Sequence, residues 1–228
     1  MGNRKDQMSA RLVFKNATDI VTAAGLKPSQ VNLTNASLRS EILLAVNQTH
    51  YQFGISVLDP GLNNGAIFPT EYRLGQQNSF IVSEMFFYLF EPANAADCTY
   101  NDYTWPNPTV FATATEAANL RILYKGYLKI TVNNSVKLPL MQLDRFWKVP
   151  TSQKQTAAAN VPQIQEDSRD GATDGLSVTE PNIVFIGSKA NLVEIFLPAG
   201  FAAGSLGAAT RAAFAYRGLM AINSTIIT

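Results

Sequence analysis

Phe80-Ile-Val-Ser-Glu-Met-Phe-Phe-Tyr-Leu-Phe90 is the stretch on which the fold turns. Aromatic and β-branched residues of this kind favour a pleated strand over a helix. Only Ser83 and Glu84 interrupt the apolar run, so it lacks the polar alternation of a strand with one wet face. A strand this dense is expected at the centre of a sheet, covered on both sides. It is also too short to span a bilayer as a helix.

Working outward, Tyr51, Phe53, Ile55 and Val57 alternate with Gln52, Gly54 and Ser56, the period-two pattern of a half-buried strand. Asp59-Pro60-Gly61 and Asn63-Asn64-Gly65 read as turns. On the other side, Thr113 and Glu116 have the spacing of a capping box, Ala117, Leu120 and Tyr124 share one helical face, and Gly126 supplies a stop. This short helix feeds an alternating strand through Leu128, Ile130 and Val132. Asn133-Asn134 then predicts a tight hairpin into Val136 and Leu138. Gln153–Gly175 reads as a long polar surface loop. Strands resume over Asn182–Ile186, Leu192–Leu197 and, past a Gly/Ala-rich segment, Ala212–Ile222.

Many strands, one helix and no βαβ rhythm predict an all-β protein, a jelly-roll type antiparallel sandwich. A single roll is preferred and a compact double roll stays open, because two rolls would need about sixteen strands of under about twelve residues each. The expected organisation is a basic N-terminal arm and linker over residues 1–40 and the sandwich over 41–228. Within the first part, Ser9–Ala24 could form a broken helix, and the Asn/Ser/Thr-rich Ser29–Ser37 reads as linker.

Charge supports that division. Residues 1–40 hold Arg4, Lys5, Arg11, Lys15, Lys27 and Arg39 against Asp6 and Asp19, while the chain as a whole carries only +1. An arm of this sign suits packaged nucleic acid, and Arg4, Lys5, Arg11 and Lys15 are its candidate contacts. Across all 228 residues, charged side chains make up 15% and hydrophobic ones 46%. Soluble domains usually carry roughly 25% charged residues. Abundant Asn, Ser and Thr account for part of so thinly charged a surface, and burial against neighbours for the rest, so the balance leans toward assembly.

The composition excludes several chemistries. One cysteine, Cys98, rules out an internal disulfide framework and a multi-cysteine zinc site, and one histidine, His50, rules out a two-histidine metal centre. No Gly-x-Ser-x-Gly elbow accompanies His50 as a base, and no phosphate-cradling or dinucleotide-binding loop is present. Asp167, Asp170 and Asp174 offer oxygen ligands of the kind calcium takes, but without EF-hand spacing and with Arg169 among them, so Asp-Gly turns are the expectation. No cofactor or metal is expected. The polar N-terminus has no apolar segment behind it and reads as neither a signal peptide nor, with Asp6 in place of Ser or Thr, a myristoylation site. The six Asn-x-Ser/Thr triplets at Asn16, Asn32, Asn35, Asn47, Asn133 and Asn223 are therefore not expected to carry glycans. Glu84, Glu91, Glu116 and Glu194 are the carboxylates from which a hydrolytic pair could be drawn; Glu84 and Glu194 stand within apolar strands, where burial would raise a pKa. Tyr100, Tyr103 and Trp105, in a loop stiffened by Pro106 and Pro108, offer aromatic contacts to a protein or a sugar.

In Trp105-Pro-Asn-Pro-Thr-Val-Phe111, Leu120 through Tyr124-Lys-Gly-Tyr-Leu-Lys-Ile130, Asp144-Arg-Phe146, Val149-Pro150 and Pro181-Asn-Ile-Val-Phe-Ile-Gly187, the chain resembles virion proteins of bacterial viruses, particularly jelly-roll capsid proteins. The likeness runs over roughly residues 41–222. It implies a non-enzymatic building block of an icosahedral shell, made in the host cytoplasm and located in the virion. Its partners would be copies of itself, other virion proteins and packaged nucleic acid, with no membrane-spanning segment. The major capsid subunit is the leading expectation. The alternatives are a carbohydrate-binding module of a fibre, spike or lectin-like protein using Tyr100, Tyr103 and Trp105, and a hydrolase on the same scaffold using Glu84 or Glu194.

Overall fold

A computed structural model describes residues 15, 17–19, 21–22, 31–45, 47–55, 74–91, 102–107, 110–111, 113–148, 153–155, 162–164, 177–202, 206 and 210–224. Its strands are β1 (Asn32–Leu43), β2 (His50–Gly54), β3 (Ser79–Phe90), β4 (Tyr127–Val132), β5 (Ser135–Gln142), β6 (Gln153–Gln155), β7 (Pro162–Ile164), β8 (Ser177–Ile186), β9 (Asn191–Phe196) and β10 (Arg211–Ile222). Residues 15, 17–19 and 21–22 are helical, and a helix, α1 (Ala114–Leu123), precedes β4.

Eight of these strands form two antiparallel four-stranded sheets, ordered β1-β10-β3-β8 and β2-β9-β4-β5; β6 and β7 pair with each other. The expected all-β sandwich is therefore present. Its partners nest: β1 pairs with β10, β2 with β9, β3 with β8 and β4 with β5. The chain thus runs out and back as one long antiparallel hairpin, wrapped so that alternate pairs fall in opposite sheets.

Alternation explains what lies between the sheets. Phe80, Val82, Met85, Phe87 and Leu89 of β3, with Phe214 and Tyr216 of β10, meet Tyr51, Phe53, Leu128, Ile130, Val193 and Ile195 of the second sheet in one buried cluster. Phe214 stands at its centre, edge-on to Phe53 at 5.0 Å and Phe146 at 5.9 Å, and tilted against Phe87 at 4.9 Å. Edge-to-face rings at these spacings satisfy the ring quadrupoles beyond simple area burial. Beneath β2, the buried Tyr51 hydroxyl donates to the Ala45 carbonyl at 2.9 Å, tying β2 to the chain leaving β1. Burial pushes its pKa up to about 12.

The central strand β3 is covered on its outer side as well, as its density predicts. Ala17 packs on Ile81 and Leu219, and Val21 on Val31 and Ala221, so the helical residues near the N-terminus cap one half of the first sheet's outer face. Over the other half, the Arg217 guanidinium lies 4.9 Å from the Phe86 ring and that of Arg39 lies 5.3 Å from Phe90. Ser83 forms a bulge where β3 slips register against both neighbours. Its hydroxyl donates to the Arg217 carbonyl at 2.9 Å and the Thr179 hydroxyl to that of Val82 at 2.8 Å. Gly218 is required there, since a Cβ would stand 1.8 Å from the Ile81 carbonyl oxygen.

Local signals account for the rest. The Thr113 side chain accepts from the Glu116 amide at 3.1 Å, the N-cap that the spacing predicts. Asn133 and Asn134 take φ of 49° and 60°, the pair of positive values that a two-residue type I′ hairpin demands. Two expectations are corrected. Ser29–Ser37 is not linker throughout: β1 begins at Asn32 and pairs with β10 along its whole length, so the sandwich takes in residues 32–40 of the expected arm. Gln153–Gly175 is not all loop, because it contains β6 and β7. The turns at 59–61 and 63–65 lie outside the described residues.

Candidate functional site: the outer face of the second sheet

Register places three rings side by side on the solvent face of the second sheet. His50 of β2 pairs with Phe196 of β9, and Phe196 with Tyr127 of β4. The imidazole stacks on the Phe196 ring at 4.5 Å and 12°, and Tyr127 stacks on its other side at 5.3 Å and 21°. The rings stand like books on a shelf, so both faces of Phe196 are already used.

The next row along the strands is polar. Gln52, Glu194 and Lys129 are register partners across β2, β9 and β4. Glu194 is 8% exposed, and its Oε1 lies 3.0 Å from His50 Nε2 and accepts from Gln52 Nε2 at 3.4 Å. Lys129 Nζ stands 3.9 Å from the other carboxylate oxygen, beyond hydrogen-bond reach. A third row joins Gly54, Leu192, Thr131 and Val136. Tyr127, Leu192, Val136 and Leu140 are all exposed here, Leu140 to 61%. Four such side chains around one ion cluster form an apolar patch with a charged centre; exposed apolar patches of this kind commonly mark interaction sites.

Of the residues singled out from the sequence, His50 and Glu194 lie on this face, 3.0 Å apart, and the others fall elsewhere. Arg4, Lys5, Arg11, Tyr100, Cys98 and the 167–175 loop lie outside the described residues. Lys15 is exposed among helical residues whose Ala17 and Val21 are fully buried against the body. Tyr103 is half-buried: its main chain bridges Leu89, and its ring meets Phe111 edge-on at 6.4 Å. Trp105 is half-buried as well. Asp102 holds this loop down, accepting from both terminal nitrogens of Arg39 at 2.7 and 2.9 Å. Arg39 Nε donates at 2.7 Å to Glu41, whose side chain is fully buried.

Of the carboxylates considered for the alternative hydrolytic reading, Glu84 and Glu194 do not meet. Glu84 stands on the outer side of the first sheet, opposite Arg217 in register, and Glu194 on the outer side of the second, so the sandwich separates them. Glu116 is buried at the start of α1 and accepts from the Thr210 hydroxyl at 3.0 Å. Burial, with the Glu116 charge as a smaller second cause, raises the pKa of Glu91. A carboxyl raised on folding favours the native state at acid pH, and that advantage is lost as pH rises through its folded pKa. Glu91→Gln should therefore gain melting temperature relative to the natural chain at pH 7, with the gain vanishing at pH 4. Thermal melts at the two pH values measure the difference. Among the described residues, no group of three His, Cys, Asp or Glu side chains could hold a metal ion. No helix among them is long and apolar enough to cross a membrane.

Sequence reasoning named His50 and Glu194 separately but missed the face that joins them. Its signal was present in the alternation Tyr127, Lys129, Thr131 and Leu192, Glu194, Phe196, but which strands would lie side by side was not. No protein-family model and no curated protein matches the chain.

Proposed function

We propose that this chain is a structural subunit of a virus particle, a tile of its shell, and not an enzyme. The observation that carries the reading is the strand connectivity. Four nested antiparallel pairs divided over two four-stranded sheets support reading the sandwich as a single jelly roll, an architecture used by viral capsid domains. The likeness to jelly-roll virion proteins of bacterial viruses points the same way.

Three further features support it. The charged fraction of 15% suits a surface shielded by neighbours. The outer face of the second sheet presents apolar side chains around a carboxylate that is already partnered, which suits a contact between proteins. Tyr103 and Trp105 are both partly buried, and the Tyr103 ring packs edge-on against Phe111, which weighs against the sugar-binding alternative at those two positions. In this reading Arg4, Lys5, Arg11 and Lys15 meet the packaged nucleic acid; Lys15, the one of the four among the described residues, is exposed. The test is electron microscopy of the purified full-length chain. Closed shells, rings or capsomers of one size are expected; a field of dispersed single subunits would overturn the proposal.

A further inference from the structure

We infer that the outer face of the second sheet is a contact between two copies of this chain, related by a two-fold axis that runs parallel to the strands between β4 and β9. The inference rests on the tile reading and names one of its interfaces. Its geometric basis is register: Lys129 and Glu194 are direct partners on neighbouring strands, as are Tyr127 and Phe196, and Thr131 and Leu192. A two-fold axis between those strands lays β9 of one copy over β4 of the other at the same height. Each Glu194 then faces the other copy's Lys129, each Phe196 faces a Tyr127, and each Leu192 faces a Thr131.

The match is one of charge and of shape. Within a chain, Lys129 reaches Glu194 only at 3.9 Å, so its ammonium has donors left for a second carboxylate. Opposite charges meet twice per pair of copies, and no like charges are brought together in the central row. The aromatic row meets an aromatic row, and the exposed Leu192, Val136 and Leu140 are covered. Face-to-face sheets pack about 10 Å apart with strands within about 30° of alignment, a separation these side chains fill. Four strands about 4.8 Å apart and six residues rising about 3.3 Å each give a footprint of roughly 300–400 Å² per copy. A stable isolated pair needs about 800 Å² per partner, so this contact is weak alone and becomes firm when repeated through a closed assembly.

Charge reversal tests the geometry. Glu194→Lys alone sets lysine against lysine across the axis, and Lys129→Glu alone sets glutamate against glutamate. A mixture of the two variants restores both opposite pairs in the mixed contact. Sedimentation velocity of the full-length chain, from about 10 to 300 µM, should show association of the natural chain weakened at least about tenfold in each single variant and recovered in the equimolar mixture. Variants that associate as the natural chain does, or a mixture that fails to recover, would overturn the inference. If the natural chain assembles and the variants assemble equally, this face falls while the tile reading stands; if the natural chain never associates, both fall. Should Glu194→Lys lose the native thermal transition, Leu192→Lys decides, because it charges the same face at an exposed position. Unchanged association of Leu192→Lys would then count against the contact.

Discussion

Phe214→Ala is expected to lower the unfolding free energy by about 3–5 kcal/mol, read as a fall in the denaturant midpoint at unchanged slope. Phe214 is fully buried at the point where β10 meets the second sheet, with Phe53, Phe87 and Phe146 on different sides. Those three rings belong to β2, β3 and the 3-10 turn Leu143–Phe146, so they cannot collapse together into the space left behind. The loss is therefore transfer free energy plus a persistent cavity. Domains of this kind are stable by about 5–15 kcal/mol, so a large fraction of the total would go. Leu140→Ala is the matched control: the side chain is 61% exposed, and its removal should change stability by less than about 0.5 kcal/mol. A similar cost for the two would contradict the placement of the core.

Arg39→Ala should be comparably damaging, by about 3–5 kcal/mol, for an electrostatic reason. Its guanidinium serves three groups at once: Glu41 within its own strand, Asp102 in the loop, and the Phe90 ring beneath. The Glu41 side chain is fully buried beside it, whereas Asp102 is 30% exposed. Losing the arginine removes a cation from beside a buried carboxylate and releases its hold on Asp102 as well. Asp102→Asn breaks only the half-exposed pair and should cost about 1 kcal/mol or less. Adding Glu41→Gln to Arg39→Ala should recover part of the loss, because the buried charge goes as well. Urea unfolding of the three variants measures these differences; equal costs for Arg39→Ala and Asp102→Asn would show that Glu41 does not depend on the arginine.

The architecture was legible wherever local pattern and burial agree. Phe80–Phe90 announces a strand covered on both faces because nine aromatic and apolar residues out of eleven leave no wet side. Asn133-Asn134 announces a hairpin because asparagine tolerates positive φ. Thr113 and Glu116 announce a helix start because the Thr hydroxyl and the Glu116 amide meet at that spacing. The strand β1 escaped notice for the opposite reason. It is an edge strand, its outer positions are Asn35 and Ser37, and its inner ones include Thr34 and Ser40, so composition hides the alternation.

The candidate contact face was illegible for a topological reason. His50 and Glu194 meet only because β2 pairs with β9, across most of the chain length. No local rule reports a pairing between strands so far apart in sequence. The N-terminal segment shows the same limit. Its charge is visible in the sequence, but that Ala17 and Val21 seat on Ile81, Leu219 and Ala221 is decided by β3 and β10. Its described part is accordingly anchored to the wall of the sandwich, and removing it would bare apolar surface on the first sheet.

The particle mass of the unmodified chain is the most direct test of the account. Sedimentation of the full-length protein at micromolar concentration should give a discrete species many times the 24.8 kDa of one subunit, and dilution should not yield a continuum of sizes. A single boundary at the subunit mass, unchanged up to the solubility limit, would contradict it.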